Sequence, residues 1–177
     1  MPANPLRRWP TRKPRGEGII MTAEQTRVFL VVVDDSEEMR AALRYACARA
    51  RHTGGRVALL RVLEPNEYQH FMAIANLMEE EARQDAEELL QRLAAEVNEF
   101  SGQLPILYVR EGNPREQLIA LIDEEPQISI LVLAADTGPR GPGPLVTALT
   151  GKFVGRLRVP VTIVPGHLKP EQIDAIT

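Results

Sequence analysis

Glycine recurs at Gly138, Gly141 and Gly151, with Pro139 and Arg140 between the first two and Lys152 directly after the third. The apolar run Ile128–Ala134 precedes them. A strand that ends in a glycine-punctuated loop and feeds a helix is a means of cradling phosphate. Glycine lets the backbone approach closely, and a helix start offers unpaired N–H donors. Pro139, Pro142 and Pro144 each lack an amide hydrogen, so three donors are missing, and Arg140 and Lys152 offer charge in their place. The loop is not a P-loop, which would need glycine at Val146 and Ser or Thr at Phe153. The plain alternative is a proline–glycine turn that holds no ligand.

A second polar group, Asp34-Asp35-Ser36, follows the apolar run Val28–Val33. Asp35 is expected to cap the next helix, with Glu38 completing a capping box. Asp34 is then left to accept hydrogen bonds from a ribose or an adenine amine. His52, His70 and His167 are scattered without metal-ligand spacing, and no G-x-S-x-G nucleophile elbow is present. Cys47 falls on an apolar helix face and reads as a core thiol. The residues therefore predict a binding protein rather than an enzyme, with no metal site of its own.

Hydrophobic periodicity supplies the frame for these groups. Strands are expected over 28–33, 56–63, 105–110, 128–134 and 160–164. The first helix carries Met39, Leu43, Ala46, Cys47 and Ala50 on one face and ends at Gly54-Gly55. A long helix over 66–100 repeats Phe71, Ile74, Met78, Ala82, Ala86, Leu89, Leu93, Val97 and Phe100 at steps of three or four. Asn113, Pro114 and Glu116 mark a third helix start. The glycine loop feeds a fourth helix over 145–157. Strands alternating with helices make an α/β fold, a five-stranded parallel sheet with helices on both faces. Its ligands bind beyond the strands' carboxyl ends, at Asp34, Leu63, Arg110 and Ala134, where the strand order reverses.

Residues 1–26 are basic and proline-rich and are predicted to be a disordered extension, with Met21 an alternative start. One domain spans 27–166, and 167–177 form a tail with one helical turn. A net charge of −3 gives no case for nucleic acid, and no apolar run reaches the ~18 to 20 residues of a membrane span. One cysteine fits a reducing compartment, so the cytoplasm is expected.

The chain resembles the universal stress protein family. "VVVDDSEEM" is similar to that family's opening V-D-x-S-E, "VALLRV" to its second strand and "VREGNPREQLIALI" to the segment entering its third helix. "ILVLAAD" and "VPVTIV" are similar to its closing strands, and the glycines follow its G-x2-G-x9-G-[ST] loop. The resemblance implies a Rossmann-like fold of the adenine nucleotide alpha hydrolase type, binding ATP, with Mg2+ entering only with the nucleotide. It places Val33, Asp34 and Val62 on the adenosine side. Ala134, Gly138, Arg140, Gly141, Gly151 and Lys152 fall on the phosphate side, with a helix start near Gly151. It also implies a homodimer through the strand Val161–Val164. Lys152 stands where ATP-binding members have Ser or Thr, and Ala134 where they commonly have glycine. A nucleotide-independent dimeric interaction protein is the second reading. A third similarity, of "FLVVVDDSEEMRAAL" to a response-regulator receiver, requires a phosphoacceptor aspartate after the third strand, where Arg110-Glu111 stands. It also requires a lysine after the fifth, where Val164-Pro165 stands.

Overall fold

The computed structural model describes residues 26–65 and 72–177. The expected disordered extension up to residue 25, the helix start near Asn66, and the apolar places at Phe71 and Ile74 lie outside the described residues and side chains. The chain runs β1 (Val28–Val32), α1 (Met39–Thr53), β2 (Arg56–Leu63), α2 (Met72–Ser101), β3 (Ile106–Glu111), and α3 (Pro114–Glu124). It continues through β4 (Ile128–Ala135), α4 (Pro144–Thr150), β5 (Val161–Pro165) and α5 (Pro170–Ile176). All strand pairs are parallel, in the order β3-β2-β1-β4-β5. The order reverses between β1 and β4, so the carboxyl ends of those two strands flank the natural ligand crevice. A receiver domain has the order 2-1-3-4-5. Here β2 lies between β1 and β3, and the receiver reading falls on topology alone.

Side-chain alternation divides the core into two layers. Phe29, Val31 and Val33 of the first strand region pack with α1, α2 and Ile173 of α5. Val28 and Leu30 pack with Leu118, Leu121 and Ile122 of α3 and Leu149 of α4. Each fully buried side chain of this size is worth roughly 1.5–3 kcal/mol relative to exposure. The first helix buries Met39, Leu43, Ala46, Cys47 and Ala50 as its spacing predicts, and Gly54 closes it at φ +66°. Asn113 caps α3, its Oδ1 accepting from the amides of Arg115 (3.1 Å) and Glu116 (3.3 Å).

Three expectations are corrected. In α2 the buried side is Ala86, Leu90, Leu93 and Val97, whereas Met78 and Phe100 are exposed. Phe100 instead lies beneath the Arg44 guanidinium, 5.3 Å from its ring centroid. The fourth helix stops at Thr150 and is followed by a separate 3-10 turn over Val154–Arg156. The C-terminal segment forms the seven-residue helix α5, docked on α1 by Ile173 and by Arg44, which donates to both carboxylate oxygens of Asp174 at 2.9 and 2.5 Å.

One glycine is required by close approach. A Cβ on Gly166 would lie 2.6 Å from Glu38 Cβ and 3.2 Å from the Ala135 carbonyl oxygen, and would overlap Glu38 Cγ. Gly166→Ala is therefore expected to cost about 1–3 kcal/mol. Urea denaturation measures the loss, and adding Glu38→Gly should recover most of it. A Gly166→Ala midpoint equal to the wild-type value would show that the packing yields freely.

Candidate functional site

The turn after β1 is built by short polar contacts. Asp34 Oδ1 accepts from the Ser36 amide at 3.0 Å and from Ser36 Oγ at 2.5 Å. Ser36 Oγ in turn accepts the Met39 amide at 3.3 Å. The expected capping box on Asp35 is not formed. The helix begins at Met39, and the Asp35 carboxylate accepts from Arg61 Nη2 at 2.8 Å. Arg61 also donates from Nη1 to the Val33 carbonyl at 3.3 Å. A cation 26 residues away thus claims the predicted cap, and local spacing alone carries no sign of it. Asp34 is exposed, and no hydrogen bond among the described residues uses its Oδ2.

Val62 is half-buried and packs with the α3/α4 layer, paired in register with Arg110 of β3. Ala134 is half-buried beside the opposite layer. The polypeptide then leaves β4 through an Asx turn, in which Asp136 Oδ1 accepts the Gly138 amide at 2.7 Å. The Gly141 amide donates to the Gly138 carbonyl at 3.2 Å. Gly141 and Gly143 have φ of +84° and +94°, and a Cβ on either would meet nothing within 4 Å. Both glycines thus serve a left-handed turn open to solvent. Pro144 occupies the first position of α4, and Thr147 donates from both N and Oγ1 to the Gly143 carbonyl at 3.0 and 2.8 Å.

This loop walls a groove of about 690 Å3 that runs from Asp136 and Arg140 across Gly141 and Gly143 to Thr147 and Ala148. Sequence reasoning missed Asp136, Gly143 and Thr147. An aspartate two residues before a glycine was the available signal for the first, as an Asx turn. Asp34, Val62, Gly138, Gly151 and Lys152 are not in the lining of this groove.

Gly151 is placed otherwise than expected. It ends α4 instead of starting a helix, and its amide donates to the Thr147 carbonyl at 3.2 Å. A seven-residue helix is ~10 Å long, so Gly151 and Lys152 stand a helix length from Gly143. Lys152 is exposed, its Nζ 5.8 Å from the Phe153 ring centroid.

Among the described residues no group of three or more His, Cys, Asp or Glu is arranged to hold a metal ion. Cys47 is buried, and burial pushes its thiol up to about 12, which favours the neutral thiol over the reactive thiolate. No helix of the described residues is long and apolar enough to cross a membrane.

Comparison with known proteins agrees with this architecture. The profile of the universal stress protein family matches residues 25–165. The universal stress protein UspA from Lactobacillus plantarum superposes with a TM-score of 0.67 at 19% identity, over 81% of this chain and 99% of that one. A universal stress family protein from Burkholderia pseudomallei gives 0.61 at 17% identity, over 81% and 99%. The universal stress protein from Archaeoglobus fulgidus in complex with dAMP gives 0.53 at 17% identity, over 78% and 97%. No curated protein matches the sequence.

The Asx turn at Asp136 gives a direct test of the loop geometry. Asp136→Ala is expected to lower stability by about 1 kcal/mol and to speed hydrogen exchange of the Gly138 amide. Asp136→Asn, which keeps an acceptor oxygen, should preserve most of the protection. Unchanged exchange in the alanine variant would remove this contact from the description of the loop.

Proposed function

This chain belongs to the universal stress protein family, and from that premise we propose that it binds an adenine nucleotide at the carboxyl ends of β1 and β4 and responds to it without turnover. The observation that carries this reading is the open groove beside Gly141 and Gly143, next to the point where the strand order reverses. In this reading the base lies toward Val33 and Val62, and the sugar meets the free oxygen of Asp34. The phosphates meet the Gly138–Gly141 backbone and Arg140. The dAMP complex of the Archaeoglobus fulgidus relative supports an adenine ligand in this fold. Magnesium would enter only as the counter-ion of a bound nucleotide, and the setting is the cytoplasm, in keeping with one buried, reduced cysteine.

The prolines bear on which nucleotide is preferred. A hydrogen bond from an N–H to a charged oxygen contributes ~1.5–3 kcal/mol. Pro139, Pro142 and Pro144 supply none, so the loop backbone favours a ligand with few phosphates to satisfy.

Calorimetric titration of dAMP and ATP into the wild type and a Gly141→Val variant tests the site. Binding is expected to weaken at least about tenfold in the variant, because a β-branched residue is strained at φ +84° and intrudes on the groove. Circular dichroism checks that the variant stays folded. Equal heats from both proteins, or none from either, would sink the nucleotide reading.

The edge position of β5 favours a homodimer as the working unit. Among the described residues only β4 pairs with it, and Ile163 is 39% exposed on this outer strand. Light scattering is expected to give twice the chain mass for the wild type and the single mass for Ile163→Lys. A monomeric wild type would dismiss the dimer.

A further inference from the structure

Phe153 is ringed by three cations. The Arg115 guanidinium carbon lies 4.4 Å from the ring centroid, Lys152 Nζ 5.8 Å and the Arg156 guanidinium carbon 6.0 Å. Arg115 comes from the first turn of α3, whereas Lys152 and Arg156 flank Phe153 in the segment joining α4 to β5. Lys152 and Arg156 are local to Phe153 in sequence, and tertiary packing brings Arg115 of α3 to them.

Most of the described arginines have an acceptor for the guanidinium, Arg49, Arg56 and Arg158 through backbone carbonyls. Arg40, Arg44, Arg61, Arg83, Arg92 and Arg110 each face a carboxylate. Among the described residues Arg115, Lys152 and Arg156 have no ion-pair partner, and no acceptor takes a side-chain donor from any of them. Arg115 Nε is buried without a hydrogen bond. The attraction between a cation and an aromatic face reaches to about 6 Å, so Phe153 holds Arg115 well and the other two at the limit of its reach. Lys152 and Arg156 are exposed and remain free to bind. Three like charges around one ring repel one another, and an anion that spans them removes that repulsion.

We propose that Arg115, Lys152 and Arg156 form a binding site for an oligophosphate anion, seated over the exposed rim of Phe153. A carboxylate or a single phosphate can lie against one or two of these groups. A chain of linked phosphates carries charge along its length and reaches all three, with the planar Arg115 and Arg156 forks suited to phosphate oxygens. The site stands at the C-terminal end of α4, just beyond the Thr147 and Ala148 end of the groove, and Lys152 belongs to it. The anion is either a free oligophosphate or the polyphosphate tail of a nucleotide. The second source alone rests on the nucleotide reading given above.

Tripolyphosphate, ATP and dAMP are titrated into the wild type and a Lys152→Ala/Arg156→Ala double variant. Both residues are exposed, and thermal unfolding confirms that the variant is folded. Tripolyphosphate is expected to bind the wild type, more weakly as salt rises, and about tenfold or more weakly to the double variant. ATP binding tighter than both tripolyphosphate and dAMP identifies a nucleotide tail as the source. ATP no tighter than tripolyphosphate identifies a free oligophosphate. If dAMP fails to bind while tripolyphosphate depends on the two cations, the nucleotide reading is lost and this site stands. Tripolyphosphate that does not bind, or that binds both proteins equally, overturns the proposal.

Discussion

β1 runs between β2 and β4 and is covered by α1 and α2 on one face and by α3 and α4 on the other. Every residue from Val28 to Val31 is at most 2% exposed, and no polar or charged residue among those described is buried. An unpaired charge in that position would cost several kcal/mol, so polar side chains are displaced to the strand ends. At the carboxyl ends stand Asp34 and Asp35 after β1, Arg61 near the end of β2, and Asp136 after β4. A sheet buried on both faces thus decides where chemistry can occur before any ligand is considered.

The glycine loop meets this constraint with a mixture of freedom and stiffness. Gly141 and Gly143 take positive φ in open space, which other residues resist, while Pro142 between them fixes its own φ and Pro144 starts α4. Asp136 spends one carboxylate oxygen on the Gly138 amide, and the Gly141 amide is spent on the turn itself. The backbone donors nearest the groove are consequently few. In the proposed readings, attraction for an anion then falls to side-chain charge: Arg140 at the groove, and the cations about Phe153 at the far end of α4.

Element types were legible because both core layers follow simple periods. β2 was read to its residue bounds, and the Asn113-Pro114 start of α3 has only one sensible reading. What the sequence hid were choices between equivalent local partners. Asp34, Asp35 and Ser36 can each cap a helix, and the outcome depends on Arg61, whose side chain reaches Asp35 only once β1 and β2 pair. Leu89 and Leu90 both suit an apolar stripe, and the packing of α2 against α1 buries Leu90 more fully. Gly151 fits a family loop pattern by spacing, yet the helix lies between the second and third glycines, so spacing placed it in sequence but not in space. Asp136, by contrast, is legible from local spacing, as an aspartate two residues before the turn glycine.

The family profile ends at residue 165, and the contacts beyond that point bear on the ligand crevice. Gly166 donates to the Ala135 carbonyl at 2.9 Å while lying against Glu38, which fixes the start of α1 to the end of β4. Farther along α1, Arg44 grips Asp174, and Arg49 donates to the Thr177 carbonyl at 3.1 Å. The hydrogen bond draws the Asp174 carboxyl below the usual carboxylate range, so this grip is present above that range and is lost as the pH falls through the lowered value. With α1 held at its start and along its length, the Asp34–Ser36 turn that leads into it is fixed relative to the loop after β4. In the proposed nucleotide reading, the Asp34 carboxylate and this loop are placed before the ligand arrives, and less ordering remains to oppose binding.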